Sequence, residues 1–92
     1  MDIPEKFTLG AVPYKVIMVP HLNKEDAVAQ CDSDECWIKV VESYPKKRQE
    51  QAYCHELIHT LLEAAGRDDL SIDETLVDVL GLLLHQYLET AK

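Results

Sequence analysis

The segment from Pro45 to Gly66 reads PKKRQEQAYCHELIHTLLEAAG and decides the fold, because it has the clearest helical pattern in the chain. Proline is tolerated in the first turn of a helix, where its missing N–H would have no partner, and glycine is common just after the last turn. Apolar residues recur between them at helical spacing. These residues are Ala52, Ile58, Leu61, Leu62 and Ala65. We therefore predict a helix from Pro45 to about Ala65.

A second helix is predicted to begin at Ser71 and to end near Thr90, after a short polar connection from Arg67 to Leu70. Its apolar residues occupy almost every side, which is typical of a helix buried between other elements. Gly81 lies in its middle, where glycine costs roughly 1 kcal/mol relative to alanine. We expect a close approach of a neighbouring element at this glycine.

The front half of the chain has the features of strands. Tyr14–Val19 is rich in β-branched and aromatic residues and is followed by Pro20, which favours a strand. Ala27–Cys31 and Glu35–Glu42 flank the turn-like Asp32–Asp34 and predict a β-hairpin. The sequence therefore predicts an α+β fold, in which a small, mainly antiparallel sheet of about three strands packs on the first helix and on a buried second helix.

Composition limits the partners of the protein. A length of 92 residues suits one domain over residues 1–92. The net charge of -8 would repel nucleic acid and anionic membranes, so we expect neither as a partner.

Met1–Leu9 lacks the pattern of a secretory signal. The chain has an odd number of cysteines, Cys31, Cys36 and Cys54. We expect them to be reduced thiols in a cytoplasmic protein.

Residues 55–59 read His-Glu-Leu-Ile-His within the first predicted helix. Positions i and i+4 lie on one face of a helix, about 6 Å apart along its axis. Two imidazoles can therefore converge on one zinc ion. Glu56 would point beside the metal, where it can take a proton from a metal-bound water. This spacing predicts a single-zinc hydrolase with His55 and His59 as ligands and Glu56 as the general base.

Hydrolytic zinc centres usually have three protein ligands. A metzincin third histidine is excluded, because Leu62 and Ala65 occupy the positions of the required glycine and histidine. Glu74 is the preferred candidate, since the chain from Arg67 to Glu74 can extend about 26 Å and return over the first helix. Asp78 lies one turn later and could accept the outer N–H of a ligand histidine.

An alternative for Glu74 is a capping box, in which Ser71 caps the second helix and Glu74 binds back to its first turn. Asp73, Asp78 and Asp69 would then be the next candidates for the third ligand. Several other residues are weaker candidates for a role in the site. His85 is expected to be partly buried or at the surface, His21 in an exposed loop, and Cys54 in the packing. The possible donors to an oxyanion are Tyr44, Tyr53 and Tyr87.

HELIH followed by DETLVD, residues 73–78, resembles the gluzincin metallopeptidases, and in particular the minimal gluzincins and the small phage-associated peptidases of the ImmA/IrrE type. The resemblance implies a zincin-like fold, His55, His59 and Glu74 as zinc ligands, Glu56 as general base and Asp78 as the supporting residue of a histidine. It also implies a peptide or protein substrate that lies along an edge strand. The gap between His59 and Glu74 is shorter than in large gluzincins, which favours weak or latent activity.

Two other classes of function fit the same residues. One is a non-catalytic, zinc-stabilised acidic interaction module, such as a phage-encoded one, that binds a basic partner; a fourth protein ligand on zinc would favour it. The other is a metal-free acidic adaptor, which elemental analysis without metal would favour. The oligomeric state and the cleavage specificity do not follow from the sequence.

Overall fold

Four strands form the sheet of the computed structural model, which describes residues 1–92: β1 (Lys6–Leu9), β2 (Val12–Val19), β3 (Ala29–Asp32) and β4 (Trp37–Val41). They lie in the order β1-β2-β4-β3. β1 pairs antiparallel with β2, and β3 pairs antiparallel with β4, whereas β2 and β4 run parallel. β3 therefore lies at one edge of the sheet.

The α+β class is confirmed, and two of the three strand pairings are antiparallel, as expected of a mainly antiparallel sheet. The sheet has four strands rather than about three, and the pair of β2 and β4 is parallel. β1 and β2 are joined by Gly10 and Ala11, whose φ angles are 54° and 67°. Such two-residue turns need positive φ at both positions, and Gly-Ala lacks the usual Asn-Gly signal. The parallel pair arises because β4 lies between β2 and β3. The fully buried Ile38 and Val40 suit β4 to this central position.

Three helices follow the sheet: α1 (Lys46–Ala64), α2 (Asp68–Ser71) and α3 (Glu74–Thr90). α1 begins after Pro45 and ends in a Schellman motif. In this motif the N–H of Gly66 donates to the backbone carbonyl of Glu63, and the N–H of Arg67 donates to that of Leu62. Gly66 has a φ of 74°, which suits this end of a helix. α1 therefore has nearly its predicted bounds.

The connection between the long helices differs from the prediction. The residues expected to form a polar connection are mostly in α2, and α3 begins at Glu74 rather than at Ser71. Asp73 is the N-cap of α3, and its Oδ1 accepts the N–H of Leu76 at 3.1 Å. The capping box of Ser71 and Glu74 is therefore not formed, which leaves the Glu74 carboxylate available for other contacts.

The core lies between the sheet and α1. Its centre consists of Ile38 and Val40 from β4 and of Tyr53 and Cys54 from α1. Cys54 is fully buried, in the packing role expected of it. α3 packs on the other side of α1, so that α1 lies between α3 and the sheet.

The prediction that α3 is buried between other elements is wrong. Its buried residues are Val77, Gly81 and His85, which follow one another at four-residue spacing on the side that faces α1. Its outer side is exposed, because no other part of the chain packs on it. The exposed large apolar residues of α3 are Val79, Leu82, Leu83, Tyr87 and Leu88.

Gly81 marks a close approach of α3 to α1. A Cβ atom at this position would lie 3.0 Å from Cα and 3.1 Å from the backbone nitrogen of His55. The expected close approach therefore exists, and it brings α3 against the helix that carries the HELIH residues. None of the helices is long and apolar enough to cross a membrane.

Candidate metal centre

Three side chains from two helices converge at one end of the α1–α3 pair. His55 and His59 come from successive turns of α1, and Glu74 comes from the first turn of α3. Glu74 Oε2 lies 3.2 Å from His55 Nε2, and Glu74 Oε1 lies 3.2 Å from His59 Nε2. One potential ligand atom from each of the three residues lies within 4.8 Å of the other two. The structure therefore brings together the three residues that the sequence suggested as ligands.

These separations fit a zinc ion. Two ligand atoms that are each about 2.0–2.2 Å from a tetrahedral ion lie roughly 3.3–3.5 Å from each other. The separations between Glu74 and the two histidines are 3.2 Å, close to this value. Glu74 forms no ion pair with a lysine or arginine, so no cation of the chain competes for its carboxylate. The donor set of two imidazoles and one carboxylate is common in catalytic zinc sites.

The outer nitrogens of both histidines have acceptors that hold the ring orientation. Asp78 Oδ1 lies 2.8 Å from His55 Nδ1, and Ser71 Oγ lies 2.9 Å from His59 Nδ1. A proton on each Nδ1 leaves each Nε2 as the nitrogen that can bind a metal ion. The Asp78 side chain is 69% exposed, so its position follows from this contact and not from a need to pair a buried acid.

Glu56 adjoins the ligands without belonging to their set. Its Oε2 lies 3.9 Å from His55 Nε2, and its side chain is only 13% exposed. Burial raises the pKa of the Glu56 carboxyl above its usual value, against the opposing effect of His55 and His59. A carboxylate with a raised pKa binds a proton more readily, which suits a group that must accept one.

Cys31 of the edge strand lies on the other side of Glu56. Burial, followed by the negative charges of Glu56 and Glu63, raises the pKa of the Cys31 thiol far above its ordinary value. The thiol therefore stays protonated and can donate a hydrogen bond to Glu56. All three cysteines of the chain are free, and Cys36 lies in the turn between β3 and β4.

A cleft of about 790 Å³ opens over the converging side chains. One wall is the segment of residues 24–29, which leads into β3, and the floor is the exposed side of α1. Glu74, Asp78 and Leu82 form the opposite wall. Lys24 and Arg48 are the cationic side chains of the cleft. No sequence pattern indicated a role for Lys24, because its position depends on how the segment before β3 folds over α1.

The remaining candidates lie away from the cleft. None of the three tyrosines proposed as oxyanion donors lines it; Tyr53 is in the core, and Tyr87 is exposed on α3. Asp73 caps α3, and Asp69 pairs with Arg67. His21 is exposed outside the cleft, as expected.

His85 is more buried than the sequence suggested, with 7% of its surface exposed. Its Nε2 lies 2.9 Å from Glu50 Oε1 and 3.3 Å from Glu89 Oε1. Lys47 contacts both of these carboxylates, at 3.6 and 2.8 Å. The group therefore consists of internally paired charges, and none of its members lines the cleft.

Comparisons of the chain with protein-family models, with curated proteins and with solved structures found no match, so the functional assignment depends on these residues and their geometry.

Proposed function

We propose that the protein is a zinc-dependent metallopeptidase of the gluzincin type, with a minimal zincin-like fold. The observation that carries this proposal is the convergence of His55, His59 and Glu74 at one point of an open cleft, with Glu56 beside them. Each of the four residues has the chemistry that this class requires. The free cysteines suit a reducing compartment such as the cytoplasm.

The residues divide into those that hold the metal and one that transfers protons. When bound, Zn²⁺ supplies a Lewis acid that polarises the scissile carbonyl and lowers the pKa of a water toward about 7. Glu56 accepts a proton from the attacking water and delivers it to the leaving amine. Its partial burial and raised pKa support this role, because they strengthen its hold on the proton between the two transfers.

The substrate is a peptide in extended conformation that pairs with β3. Val41 N–H donates to the carbonyl of Val28 at 2.8 Å, so Val28 and Val41 are a hydrogen-bonded pair of the antiparallel ladder. Pairs alternate along such a ladder, and the next residue, Ala29, therefore directs its N–H and C=O away from β4. Ala29 also lines the cleft. Its free backbone groups can form hydrogen bonds with a bound peptide.

Two cations supply the positive charge of the cleft. The phenolic donors considered from the sequence are remote, whereas Lys24 and Arg48 line the walls. Either side chain can stabilise the negative charge that develops on the carbonyl oxygen during hydrolysis. The cleft also contains four acidic side chains besides that of Glu56, which are Glu25, Asp26, Glu74 and Asp78.

A purely structural zinc module is less well supported. Structural zinc sites usually have four protein ligands, and catalytic sites keep one position for water. The ligand atoms that converge here come from three residues, and Glu56 is not one of them. The set therefore leaves a coordination position facing the cleft.

The decisive experiment combines metal analysis with hydrolysis of a peptide library by the wild type and two variants. Wild-type protein should bind one zinc ion and cleave peptides. Glu56→Gln should keep the zinc and lose cleavage, because the amide cannot accept the proton. His59→Ala should lose zinc. Cleavage by Glu56→Gln, or a full zinc content in His59→Ala, would contradict the proposal.

A further inference from the structure

A chain of hydrogen bonds extends from His59 away from the cleft. Ser71 Oγ lies 2.9 Å from His59 Nδ1 and 2.6 Å from Glu63 Oε2. The other carboxylate oxygen, Glu63 Oε1, accepts a hydrogen bond from the hydroxyl of Ser33. These residues belong to the end of α2, to the last turns of α1, and to the turn between β3 and β4. Three separate elements therefore meet behind one proposed metal ligand.

The chemistry of these groups gives the chain a direction. An ionised carboxylate only accepts hydrogen bonds, and a serine hydroxyl has one proton to donate. Ser71 therefore donates its proton to Glu63, and its oxygen accepts the proton of His59 Nδ1. With Nδ1 occupied by a proton, Nε2 is the nitrogen of His59 that remains for a metal ion.

We propose that Ser71 and Glu63 are positioning residues that keep a proton on His59 Nδ1 and so leave its Nε2 as the nitrogen that faces the cleft, with Ser33 fixing the orientation of the Glu63 carboxylate. His55 is held in the same way by a different route, through direct contact of its Nδ1 with Asp78. Because Ser33 belongs to the hairpin of the edge strand, the chain also joins that hairpin to the proposed metal centre. The importance of this orientation for metal binding rests on the proposed function, whereas the hydrogen bond at Nδ1 does not depend on bound metal.

The test uses the full-length protein without metal. Long-range ¹H–¹⁵N NMR spectra distinguish the protonated from the unprotonated nitrogen of each ring. In the wild type, both His55 and His59 should carry a proton on Nδ1. Ser71→Ala should change the nitrogen signals of His59 and leave those of His55 unchanged.

Asp78→Ala provides the matched control, because it should change His55 and leave His59 unchanged. Glu63→Leu is a second, independent variant with a sharper expectation. Without the carboxylate, the Ser71 hydroxyl can turn its proton toward His59 Nδ1, and Nδ1 should then lose its own proton. A purely structural role for Ser71 or Glu63 would not remove the Nδ1 proton of one histidine alone.

Zinc titration of the same proteins measures the consequence for binding. Loss of an outer hydrogen-bond partner of a ligand histidine typically weakens metal affinity about 10–100-fold. We expect Ser71→Ala and Glu63→Leu to raise the zinc Kd by this factor. If Nδ1 of His59 in the wild type carries no proton, or if Ser71→Ala changes both histidines equally, the positioning role is wrong. A wild type with the expected Nδ1 protons but without zinc binding would instead overturn the proposed function alone.

Discussion

Gly81 of α3 and His55 of α1 meet backbone to backbone, so closely that a methyl group on Gly81 would lie 3.0 Å from His55 Cα. The nearest atoms are main-chain atoms, which cannot rotate away as a side chain can. Glu74 and Asp78 are carried by the same helix as Gly81, toward its N-terminus. The contact therefore determines how far these two carboxylates lie from His55.

Gly81→Ala should move α3 away from α1 and weaken zinc binding. Overpacking of this kind typically costs about 1–3 kcal/mol, and the higher helix propensity of alanine offsets roughly 1 kcal/mol of it. Urea unfolding and zinc titration measure the two effects. Val79→Ala, at an exposed position of the same helix, is the control. Unchanged zinc affinity in Gly81→Ala would show that the helix spacing does not control the ligands.

Removal of the Glu56 charge should stabilise the metal-free protein as the pH rises. The folded state raises the pKa of this carboxyl, mainly through burial. Its contribution to stability is thus fully present below its unfolded pKa of about 4.3 and is lost as the pH rises through the folded pKa. Glu56→Gln lacks this loss, so its advantage in urea unfolding should grow from about pH 4 toward neutrality.

The control for this experiment is Gln86→Ala, which changes no ionisable group and should follow the pH dependence of the wild type. An advantage of Glu56→Gln that stays constant with pH would mean that the burial of Glu56 has no energetic effect on its ionisation.

Backbone methylation of a peptide substrate should reveal strand pairing with β3. Only every second residue of a bound strand directs its N–H toward β3. N-methylation at those residues should raise KM, whereas methylation at the residues between them should have little effect on KM. The measurement is steady-state kinetics on a set of singly methylated peptides. Equal effects at neighbouring nitrogens would exclude binding as an added strand.

His85→Ala should reduce stability without affecting the metal centre. Glu50 is 1% exposed, and His85 Nε2 lies 2.9 Å from its Oε1. Removal of a partner from a buried polar group costs about 1–3 kcal/mol. Urea unfolding should show this loss, while zinc stoichiometry and peptide cleavage stay at wild-type levels because His85 lies outside the cleft. Loss of zinc from this variant would show that the two regions are coupled.

The helical half of the fold was largely predictable, because the HELIH spacing, Pro45 and Gly66 are all local signals. β1 was missed, since its turn at Gly10 and Ala11 lacks a typical sequence. The parallel pairing of β2 with β4 was also missed, because it depends on which strand enters the centre of the sheet. The exposure of one side of α3 was not predictable either, because an apolar pattern does not indicate whether another element covers the helix.

The site was predictable where spacing along a helix fixes it. His55, His59 and Glu56 share one helix, and Glu74 and Asp78 share another. The contacts that join separate elements were not predictable. Ser71 was considered only as a helix cap, and Glu63 was not considered, because their link to His59 and Ser33 requires α2 to fold against α1.

The succession of α1, α2 and α3 has a consequence for the order of folding. Glu74 follows His59 by 15 residues, and the paired residues of β2 and β4 lie 22 residues apart. Loop-closure entropy grows only slowly with length, so the two closures cost similar amounts. We therefore expect the ligand group and the sheet to form together in one cooperative transition, as is usual for a single domain of this size.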